Sequence, residues 1–314
     1  MNFVITFSFN QNLMQHKTRA FIAAFLAALI YGVSFTIAKD VMPFYIKPYG
    51  FIVLRVVGAA LLFWGISIFA VKEKIDPQDF VRIVLAAVFG IALNMLTFFK
   101  GLSMTTPISA SVIMVTTPII VLILSALILK ERITSIKVFG IFIGLAGAVL
   151  LISYGRSLQP GENPALGNLL VFVNAASYSL YLIIVKKLTD KYNPFTFIKW
   201  LYLFGAVLVI PFGAGKLQEV QWQQIPITIY YKIGYIVVFT TFFAYLLNIF
   251  ALTKLKPTTL SSFIYLQPLL ASLYALFVGS DSLDAIKVVA TILIFTGVYL
   301  VTKSNAGKMQ KIAD

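Results

Sequence analysis

The sequence has no cysteine, a single histidine and few charged residues, which make up only 11% of its 314 positions. Without cysteine, the chain has no disulfide bond, thiolate nucleophile or cysteine-ligated metal. His16 precedes the first long apolar run, so neither a zinc site nor a serine–histidine triad is expected. Soluble domains carry about 25% charged residues, and a chain with so few cannot present a water-compatible surface.

Long apolar runs dominate the sequence, which is 60% hydrophobic with a mean hydropathy of +0.94. A bilayer core of about 30 Å needs roughly 20 apolar residues in a helix, and the alternation typical of a β-barrel is absent. The runs cover residues 20–38, 49–71, 81–102, 108–129, 136–153, 166–185, 195–213, 228–252, 259–279 and 286–302. We therefore predict an all-α integral membrane protein with ten transmembrane helices. The residues before the first run do not read as a cleaved signal peptide, and Met14 is an alternative start to Met1.

The formal net charge is +14, and the basic residues concentrate in the short connections between apolar runs. With ten spans, 17 of the 25 basic residues fall on the side that holds both termini and seven on the other, while Arg55 lies inside the second run. Cytoplasmic loops are enriched in Lys and Arg. Both termini are therefore predicted to be cytoplasmic, in the inner or plasma membrane. Because basic residues in cytoplasmic connections account for the positive charge, membrane lipid is an expected partner and nucleic acid is not.

The second half of the chain repeats the first. A shift of 150 residues aligns Pro107 with Pro257, Ser111 with Ser261, Pro118 with Pro268 and Gly147 with Gly297, and a shift of 147 aligns Tyr31 with Tyr178 and Gly58 with Gly205. Each copy, 20–153 and 166–302, holds five spans. Because five is odd, the second copy must enter the membrane upside down. Inverted repeats are typical of secondary transporters, which move one half against the other.

Two prolines interrupt equivalent helices near the middle of the bilayer. Pro118 and Pro268 each lie eleven residues after a proline that begins the span, or about 16 Å along the helix. Each leaves a carbonyl oxygen, that of Met114 or Ile264, without its usual helical partner. Matched interruptions in two halves of a transporter point to a substrate site near the midplane. The alternative is a pair of structural kinks whose carbonyls are satisfied by threonine hydroxyls.

Polar side chains within the apolar runs are the candidates for substrate binding. Some lie three residues apart, such as Asn94 and Thr97 or Tyr245 and Asn248, so that each pair shares one helix face. The alternative role for such residues is hydrogen bonding between helices. The predicted substrate-binding residues are Tyr31, Ser34, Asn94, Thr97, Lys100, Thr116, Thr117, Asn174, Tyr178, Tyr245, Asn248, Tyr265 and Gln267, with Pro118 and Pro268 as helix kinks.

Charged residues at or within the spans have alternative interpretations. Arg55 either has a structural role, with its head reaching the outer surface, or binds an anion. Lys100 either reaches the surface near the end of the third span or faces a substrate carboxylate or phosphate. Glu131 is interpreted as a cap or as a partner of Arg132. All eleven acidic residues fall in loops or at span ends, which argues against an intramembrane enzyme and against proton coupling through an embedded carboxylate.

The stretch SASVIMVTTPIIVLILSALILKERITSIKVFGIFIGLAGAVLLIS, residues 109–153, has a central proline, then Glu131 at a turn, then a glycine-bearing helix. It resembles the EamA-type members of the drug/metabolite transporter superfamily, and the resemblance extends over about residues 20–302. Arg55 falls at the family's usual arginine position. In the second copy SSFIYLQPLLASLYALF and FTGVYLV match, but Asp281 stands where glutamate is usual. The resemblance implies two inverted five-helix EamA-type repeats and transport, and it leaves the substrate open.

We predict a secondary transporter that exports an amino acid or a similar small metabolite by alternating access around a midplane site between the repeats. The alternative within transport is an exchanger of phosphorylated or nucleotide-linked metabolites, whose dianions need several buried basic residues. Outside transport, the alternatives are an intramembrane enzyme and a scaffold. No cofactor or metal is expected, and we expect a monomer or homodimer.

Overall fold

The computed structural model describes residues 2–42, 44–69, 73–104, 110, 113–153, 164–277 and 285–303. Within these ranges every regular element is a helix, and the helices pack into one bundle. The all-helical class predicted from the apolar runs is therefore confirmed. The predicted turn that contains Asp281 lies outside the described residues.

The helices follow one another in a simple order along the chain. They are α1 (Asn2–Val41), α2 (Pro48–Ser67), α3 (Pro77–Ala87, a π-helical segment Val88–Ala92, and Leu93–Met104), α4 (Thr117–Ile128), α5 (Ser135–Ser153), α6 (Pro164–Thr189), α7 (Pro194–Gln218), α8 (Ile227–Tyr235, a π-helical segment Ile236–Phe243, and Ala244–Leu252), α9 (Pro257–Ser262, a 3₁₀ turn Phe263–Tyr265, and Leu266–Phe277) and α10 (Ala285–Lys303). A short 3₁₀ turn, Trp222–Gln224, lies between α7 and α8.

Proline begins many of these helices. At the first helical position its missing N–H costs nothing, and its fixed φ already fits the helix. At α7, the side chain of Asn193 also accepts a hydrogen bond from the backbone N–H of Phe195 at 3.1 Å, which caps the helix. The helices that begin in this way start at Pro48, Pro77, Pro164, Pro194 and Pro257.

The irregular parts of α3 and α8 fall at equivalent positions in the two halves. A shift of 150 residues carries the π-helical segment Val88–Ala92 into the π-helical segment Ile236–Phe243. A π turn contains one extra residue, so carbonyl oxygens leave the regular helical ladder. In α9 the 3₁₀ turn precedes Pro268, and α4 begins one residue before Pro118. Both halves therefore break helical regularity at matching places.

Equivalent helices α2 and α7 pack against each other in opposite directions. Gly50, near the start of α2, lies against the backbone of Lys216, near the end of α7. Trp64, near the end of α2, contacts Trp200, near the start of α7, with 5.1 Å between ring centroids. This antiparallel packing is the arrangement that an upside-down second copy requires.

Helices α5 and α10, which are also equivalent, meet through glycines. A Cβ atom at Gly147 would lie 2.9 Å from the backbone nitrogen of Ile294, and one at Gly297 would lie 2.5 Å from that of Gly144. Residues without a side chain let helix backbones approach this closely. Because the later residue of α5 faces the earlier residue of α10, this pair is antiparallel as well.

The surface of the bundle is apolar. Among the described residues, seven helices are long and apolar enough to cross a membrane, while α4 and the Ser135–Leu150 part of α5 are shorter apolar helices. An apolar surface of this extent is covered by lipid in an integral membrane protein. The membrane class is confirmed, and the count of ten spans stays a prediction. Large apolar side chains that are more than half exposed include Leu61, Leu127, Phe139, Val207 and Ile292.

Candidate functional site

A narrow cavity lies between α1, α6, α8 and α9, so both halves of the chain build its wall. The volume open to the centre of a water-sized sphere is about 10 Å³ in this conformation. The wall is mostly apolar with a few polar groups, which is the usual character of a small-molecule site. Four of the predicted substrate-binding residues meet here. The lining residues are Ala24, Ala28, Tyr31, Tyr178, Leu182, Asn248, Leu260, Ser261, Phe263, Ile264 and Gln267.

Tyr31 and Tyr178 occupy equivalent positions of the two halves and both line the cavity. They come from α1 and α6, so the repeat presents the same side chain from two helices. Within the described part of the chain, neither phenolic hydroxyl has a hydrogen-bond partner. Each hydroxyl is therefore able to donate to, or accept from, a bound molecule.

Helices α8 and α9 supply the amide groups of the wall. Asn248 is 8% exposed, and Gln267 lies directly before Pro268, just after the 3₁₀ turn of α9. A side-chain amide offers both a donor and an acceptor, so these residues suit an uncharged polar group of a ligand. No cluster of three or more potential metal-ligating side chains occurs among the described residues.

A cluster of tyrosine rings continues from the cavity into the core. Tyr245 contacts Tyr31, Tyr181 and Tyr202, with ring centroids 6.5, 6.3 and 5.5 Å apart. Tyr178 contacts Tyr181 at 5.7 Å. Packed rings of this kind hold one another in fixed orientations. The tyrosines therefore form a rigid connection from the cavity to the centre of the bundle.

The predicted site residues did not include Tyr181 and Tyr202. Both were detectable in the sequence. Tyr181 follows Tyr178 by three residues, so the two share a helix face. Tyr202 is the equivalent of Arg55 at the shift of 147 residues.

The two π-helical segments supply backbone acceptors to the tyrosine cluster. The carbonyl oxygen of Gly90 in α3 accepts a hydrogen bond from the Tyr245 hydroxyl at 3.2 Å. The carbonyl oxygen of Thr241 in α8 accepts one from the Tyr202 hydroxyl at 3.0 Å. Because a π turn takes carbonyls out of the helical ladder, side chains from neighbouring helices satisfy them.

Arg55 is buried on α2, with 8% of the residue exposed. Its Nε donates a hydrogen bond to Thr241 Oγ1 at 3.0 Å, and its guanidinium lies 5.8 and 5.9 Å from the ring centroids of Phe51 and Phe99. The head of the side chain is therefore inside the bundle. The interpretation in which it reaches the outer surface does not fit this position.

Some predicted residues use their hydroxyls within their own helix. Thr97, Thr116 and Thr117 donate to the carbonyl oxygens of Leu93, Ile113 and Met114, each at 2.6 Å. The Met114 carbonyl is the one that Pro118 leaves without its helical partner. Thr117 is fully buried and satisfies this carbonyl. This hydrogen bond favours the structural-kink interpretation for Thr117.

Three other predicted residues join helices. Ser34 Oγ shares a hydrogen bond with Thr240 Oγ1 of α8 at 2.6 Å, and Asn174 Nδ2 donates to the backbone carbonyl of Asn94 at 2.7 Å. The second contact connects α6 to α3. These bonds favour the helix-joining interpretation, although Asn174 Oδ1 is buried without a partner among the described residues.

Tyr265 and Lys100 lie away from the cavity wall. Tyr265 is fully buried, its ring packs against Gly144 of α5, and its hydroxyl has no hydrogen-bond partner among the described residues. Lys100 is exposed near the end of α3. The structure therefore does not bring these two residues together with Tyr31 and Gln267.

A buried ion pair of the first half is hydrogen-bonded to the second half at the end of the bundle where α9 begins. Lys130 has a φ of 52°, a left-handed conformation that ends α4 and turns Glu131 inward. Glu131 Oε1 accepts hydrogen bonds from Lys137 Nζ and from Thr258 Oγ1 of α9, the latter at 2.7 Å. The side chains of Glu131 and Lys137 are 4% and 1% exposed. The predicted pairing of Glu131 with Arg132 is wrong, because the turn points Glu131 into the bundle and leaves Arg132 exposed.

A second network lies at the same end, between the start of α3 and the connection from α6 to α7. The buried carboxylate of Asp79 accepts hydrogen bonds from Lys191 Nζ at 2.6 Å, from the Tyr192 hydroxyl at 2.8 Å and from Arg82. Hydrogen bonds to Asp76 and Asp79 raise the pKa of Lys191 above its usual value. These bonds also connect the first half of the chain to the second.

The opposite end, where α2 and α8 begin, has only exposed ion pairs among the described residues. Lys232 pairs with Asp40, and Glu219 pairs with Lys47 and Lys216, all at 2.6 Å. Hydrogen bonds from Lys216 and then Lys47 lower the pKa of Glu219 to about 2. Exposed ion pairs contribute little to stability. The halves are therefore joined more firmly at the α9 end than at the α2 end.

Known proteins resemble this chain in both halves. The EamA-like transporter family matches residues 18–153 and again residues 165–303. An uncharacterized transporter of Archaeoglobus fulgidus is 25% identical over 92% of this chain and 98% of its own length, and the uncharacterized transporter YyaM of Bacillus subtilis is 25% identical over 90% and 94%. A chloroplastic WAT1-related protein of Arabidopsis thaliana is 24% identical over 86% of this chain and 66% of its own. A crystal structure of a protein at 18% identity has a TM-score of 0.76 and covers 91% of this chain and 96% of that one, so it shares the fold. The resemblance seen in the sequence is confirmed.

Proposed function

This chain belongs to the EamA-like transporter family, and we propose that it is a secondary transporter that exports an amino acid or a similar small metabolite by alternating access. The family is one of transporters, and the relatives from Archaeoglobus fulgidus and Bacillus subtilis are named uncharacterized transporters. The observation that supports the proposed mechanism best is the cavity, because both halves build its wall. Alternating access needs a site that two moving halves share.

The chemistry of the wall supports a small polar substrate. Phenolic hydroxyls from Tyr31 and Tyr178 and amides from Asn248 and Gln267 suit single polar groups better than a polyanion. An exchanger of phosphorylated metabolites would need several basic groups around the substrate. Among the described residues that line the cavity, none is basic. An amino acid or a compound of similar size and charge is therefore the preferred substrate class.

The two ends of the bundle support a rocking movement. At the α9 end, buried hydrogen bonds from Thr258 to Glu131 and from Lys191 to Asp79 cross between the halves. At the α2 end the pairs are exposed, so they break at little cost. Alternating access would open the two ends in turn, the α2 end by breaking its exposed pairs and the α9 end by breaking the hydrogen bonds to Glu131 and Asp79.

The membrane arrangement is part of the proposal. We propose ten spans with both termini in the cytoplasm, in the inner or plasma membrane. The distribution of basic residues and the antiparallel α2–α7 and α5–α10 pairs support this arrangement. Reporters fused after residues 75 and 190 should be cytoplasmic, and those after 160 and 218 external. A result that places 75 and 160 on the same side would contradict the inverted ten-span arrangement.

Flux through purified protein in proteoliposomes tests the transport proposal. Vesicles loaded with a panel of labelled amino acids should release one or more of them faster than vesicles without protein. Gln267→Ala should reduce this flux because it removes a donor and an acceptor from the cavity wall. Tyr231→Phe is a suitable control, because Tyr231 is 72% exposed and lies outside the cavity. Transport of phosphorylated compounds in place of amino acids would favour the exchanger.

We also propose facilitated diffusion or exchange rather than proton coupling. A proton-driven transporter usually has a titratable group inside the membrane, and the acidic residues of this chain lie in connections or at the ends of the predicted spans. Uphill transport driven by an imposed pH gradient, and retained in Lys100→Met, would contradict this proposal. If Lys100→Met abolished only the dependence on the gradient, Lys100 would be the coupling group.

A further inference from the structure

Arg55 carries a buried positive charge without a negative partner. The residue is 8% exposed, and no carboxylate lies within 4 Å of it in the described part of the chain. The other basic residue buried among the described ones, Lys137, has Glu131 as its partner. A charge taken out of water without compensation is costly, and inside a membrane protein it usually marks a functional site.

The protein holds the guanidinium in place without neutralising it. Thr241 Oγ1 accepts the hydrogen bond from Nε, and the rings of Phe51 and Phe99 lie on the cation. The Nη amino groups make no hydrogen bond within the described residues. Arginine presents paired N–H groups that match the two oxygens of a carboxylate. The donors best suited to an anion therefore remain available.

The tyrosine cluster connects this charge to the cavity. Tyr202 donates to the backbone carbonyl of Thr241, the residue whose hydroxyl holds Arg55. Tyr202 in turn contacts Tyr245, and Tyr245 contacts Tyr31, with 5.5 and 6.5 Å between the ring centroids. Tyr31 lines the cavity, and its hydroxyl has no partner among the described residues. Arg55 is therefore connected through packed side chains to the side of the cavity that Tyr31 forms.

We infer that Arg55 and the Tyr31 hydroxyl form an anion subsite that binds the single carboxylate of the transported molecule. The inference rests on the proposed transport function and narrows its substrate to small monocarboxylates, of which amino acids are one group. A single uncompensated charge on the protein matches a single negative charge on the ligand. A phosphate dianion would need a second positive group, and the lining residues that the structure describes include none. The remainder of the ligand lies against Tyr178, Asn248 and Gln267.

The test compares L-amino acids with their primary amides, which have the same side chains but no carboxylate. Binding of each labelled probe to the purified full-length protein is measured in detergent, and flux is measured in proteoliposomes. Wild-type protein should bind at least one acid about 10-fold or more tightly than its amide. Arg55→Met should lower the affinity for that acid by about 10- to 100-fold and leave the affinity for the amide unchanged. Arg55→Lys should keep part of the preference for the acid.

Two further variants keep the test decisive if Arg55→Met does not fold. Tyr31→Phe removes only the phenolic hydroxyl and should reduce the preference for the acid over the amide. Tyr178→Phe should weaken the binding of both probes by the same factor. A purely structural role for Arg55 would change stability without changing the ratio between acid and amide. Equal binding of acids and amides by wild type, binding of neither, or a preference for phosphate monoesters would overturn the inference.

The outcomes for the subsite and for transport are distinct. Acid-selective binding without flux would contradict the proposed transport function and leave the subsite standing. Flux that is the same for acids and amides, and is unchanged in Tyr31→Phe and Arg55→Lys, would support transport and contradict the subsite.

Discussion

The two halves of this protein share their backbone features but differ in most of the polar side chains at the cavity and in the core. Both halves have a π-helical segment at the same repeat position, in α3 and in α8, and both have irregular helix beside an equivalent proline, Pro118 or Pro268. Both also place a tyrosine, Tyr31 or Tyr178, at the cavity. These features determine how helices bend and approach each other, so both copies need them.

Apart from the two tyrosines, each polar residue that gives the site its chemistry occurs in one half only. Asn248 and Gln267 line the cavity from the second half, and their equivalents at the shift of 150 residues are Phe98 and Thr117. Arg55 belongs to the first half, and its equivalent is Tyr202. The shared backbone supports a movement with two similar end states, whereas an asymmetric substrate needs different groups on its different sides.

The largest effect is expected at the buried ion pair of Glu131 and Lys137, to which Thr258 of the second half is hydrogen-bonded. Glu131→Gln leaves Lys137 buried without its negative partner, which should destabilise the protein by about 3–5 kcal/mol. A large fall in the melting temperature of the detergent-purified protein would show this. The double variant Glu131→Gln with Lys137→Met should recover most of the loss, because neither charge remains. Arg132→Met should melt at the same temperature as wild type. A large fall in its melting temperature would show that Glu131 pairs with Arg132, as the sequence suggested.

A smaller loss of stability is expected at the contact between α5 and α10, to which the two halves contribute equivalent glycines. Gly297→Ala places a Cβ atom 2.5 Å from the backbone of Gly144, and Gly147→Ala places one 2.9 Å from that of Ile294. Overpacking of this kind costs about 1–3 kcal/mol, and the two variants should lower the melting temperature by similar amounts. Gly215→Ala, which meets nothing within 4 Å, is the control. A loss in only one of the pair would show that α5 and α10 are not equivalent.

The equivalent residues Gln267 and Thr117 should respond differently. Gln267→Ala removes amide groups from the cavity, so substrate affinity should fall about 10-fold, which corresponds to the roughly 1–3 kcal/mol lost when a buried polar group is left unpaired. Thr117→Val removes the donor to the Met114 carbonyl, so it should lower the melting temperature and leave substrate affinity unchanged. Binding measurements on both variants decide the matter. Equal loss of affinity would place Thr117 in the site after all.

The smallest effect is expected at the α2 end. Glu219→Gln removes two ion pairs, but the Glu219 carboxylate is 43% exposed, so the melting temperature should change by less than about 1 °C at pH 7. Since the pKa of Glu219 is lowered to about 2, any stabilisation is present above its unfolded pKa of about 4.3 and is lost only as the pH falls towards 2. Wild type and variant should therefore keep the same difference between pH 5 and pH 8. A large destabilisation would mean that both ends are firmly joined.

The helices and the repeat were predictable because both leave regular signals along the chain. Apolar runs of membrane length predict helices, and a constant shift of 150 residues predicts equivalent elements. Tyr31, Tyr178, Asn248 and Gln267 were predictable as polar residues in apolar helices, and the structure places them together at the cavity.

The hydrogen-bond partners could not be predicted in the same way. Ser34 and Asn174 had the same signal as the cavity residues, yet their side chains bond to neighbouring helices. The partner of Glu131 depends on one backbone angle at Lys130, which sequence composition does not report. Which polar group meets ligand and which meets protein is decided by helix rotation and by the π-helical segments, and neither is visible in hydropathy.

The glycine contact between α5 and α10 has the form of a homodimer interface within one chain. At the shift of 150 residues, Gly147 against Ile294 and Gly144 against Gly297 are the same contact seen from its two partners, as across a two-fold axis. Two separate copies would carry every substitution twice, so a charge near that axis would face its own duplicate. Fusion of the copies lifts this restriction. A covalently joined pair can carry arginine at position 55 and tyrosine at the matching position 202, and therefore one positive charge instead of two.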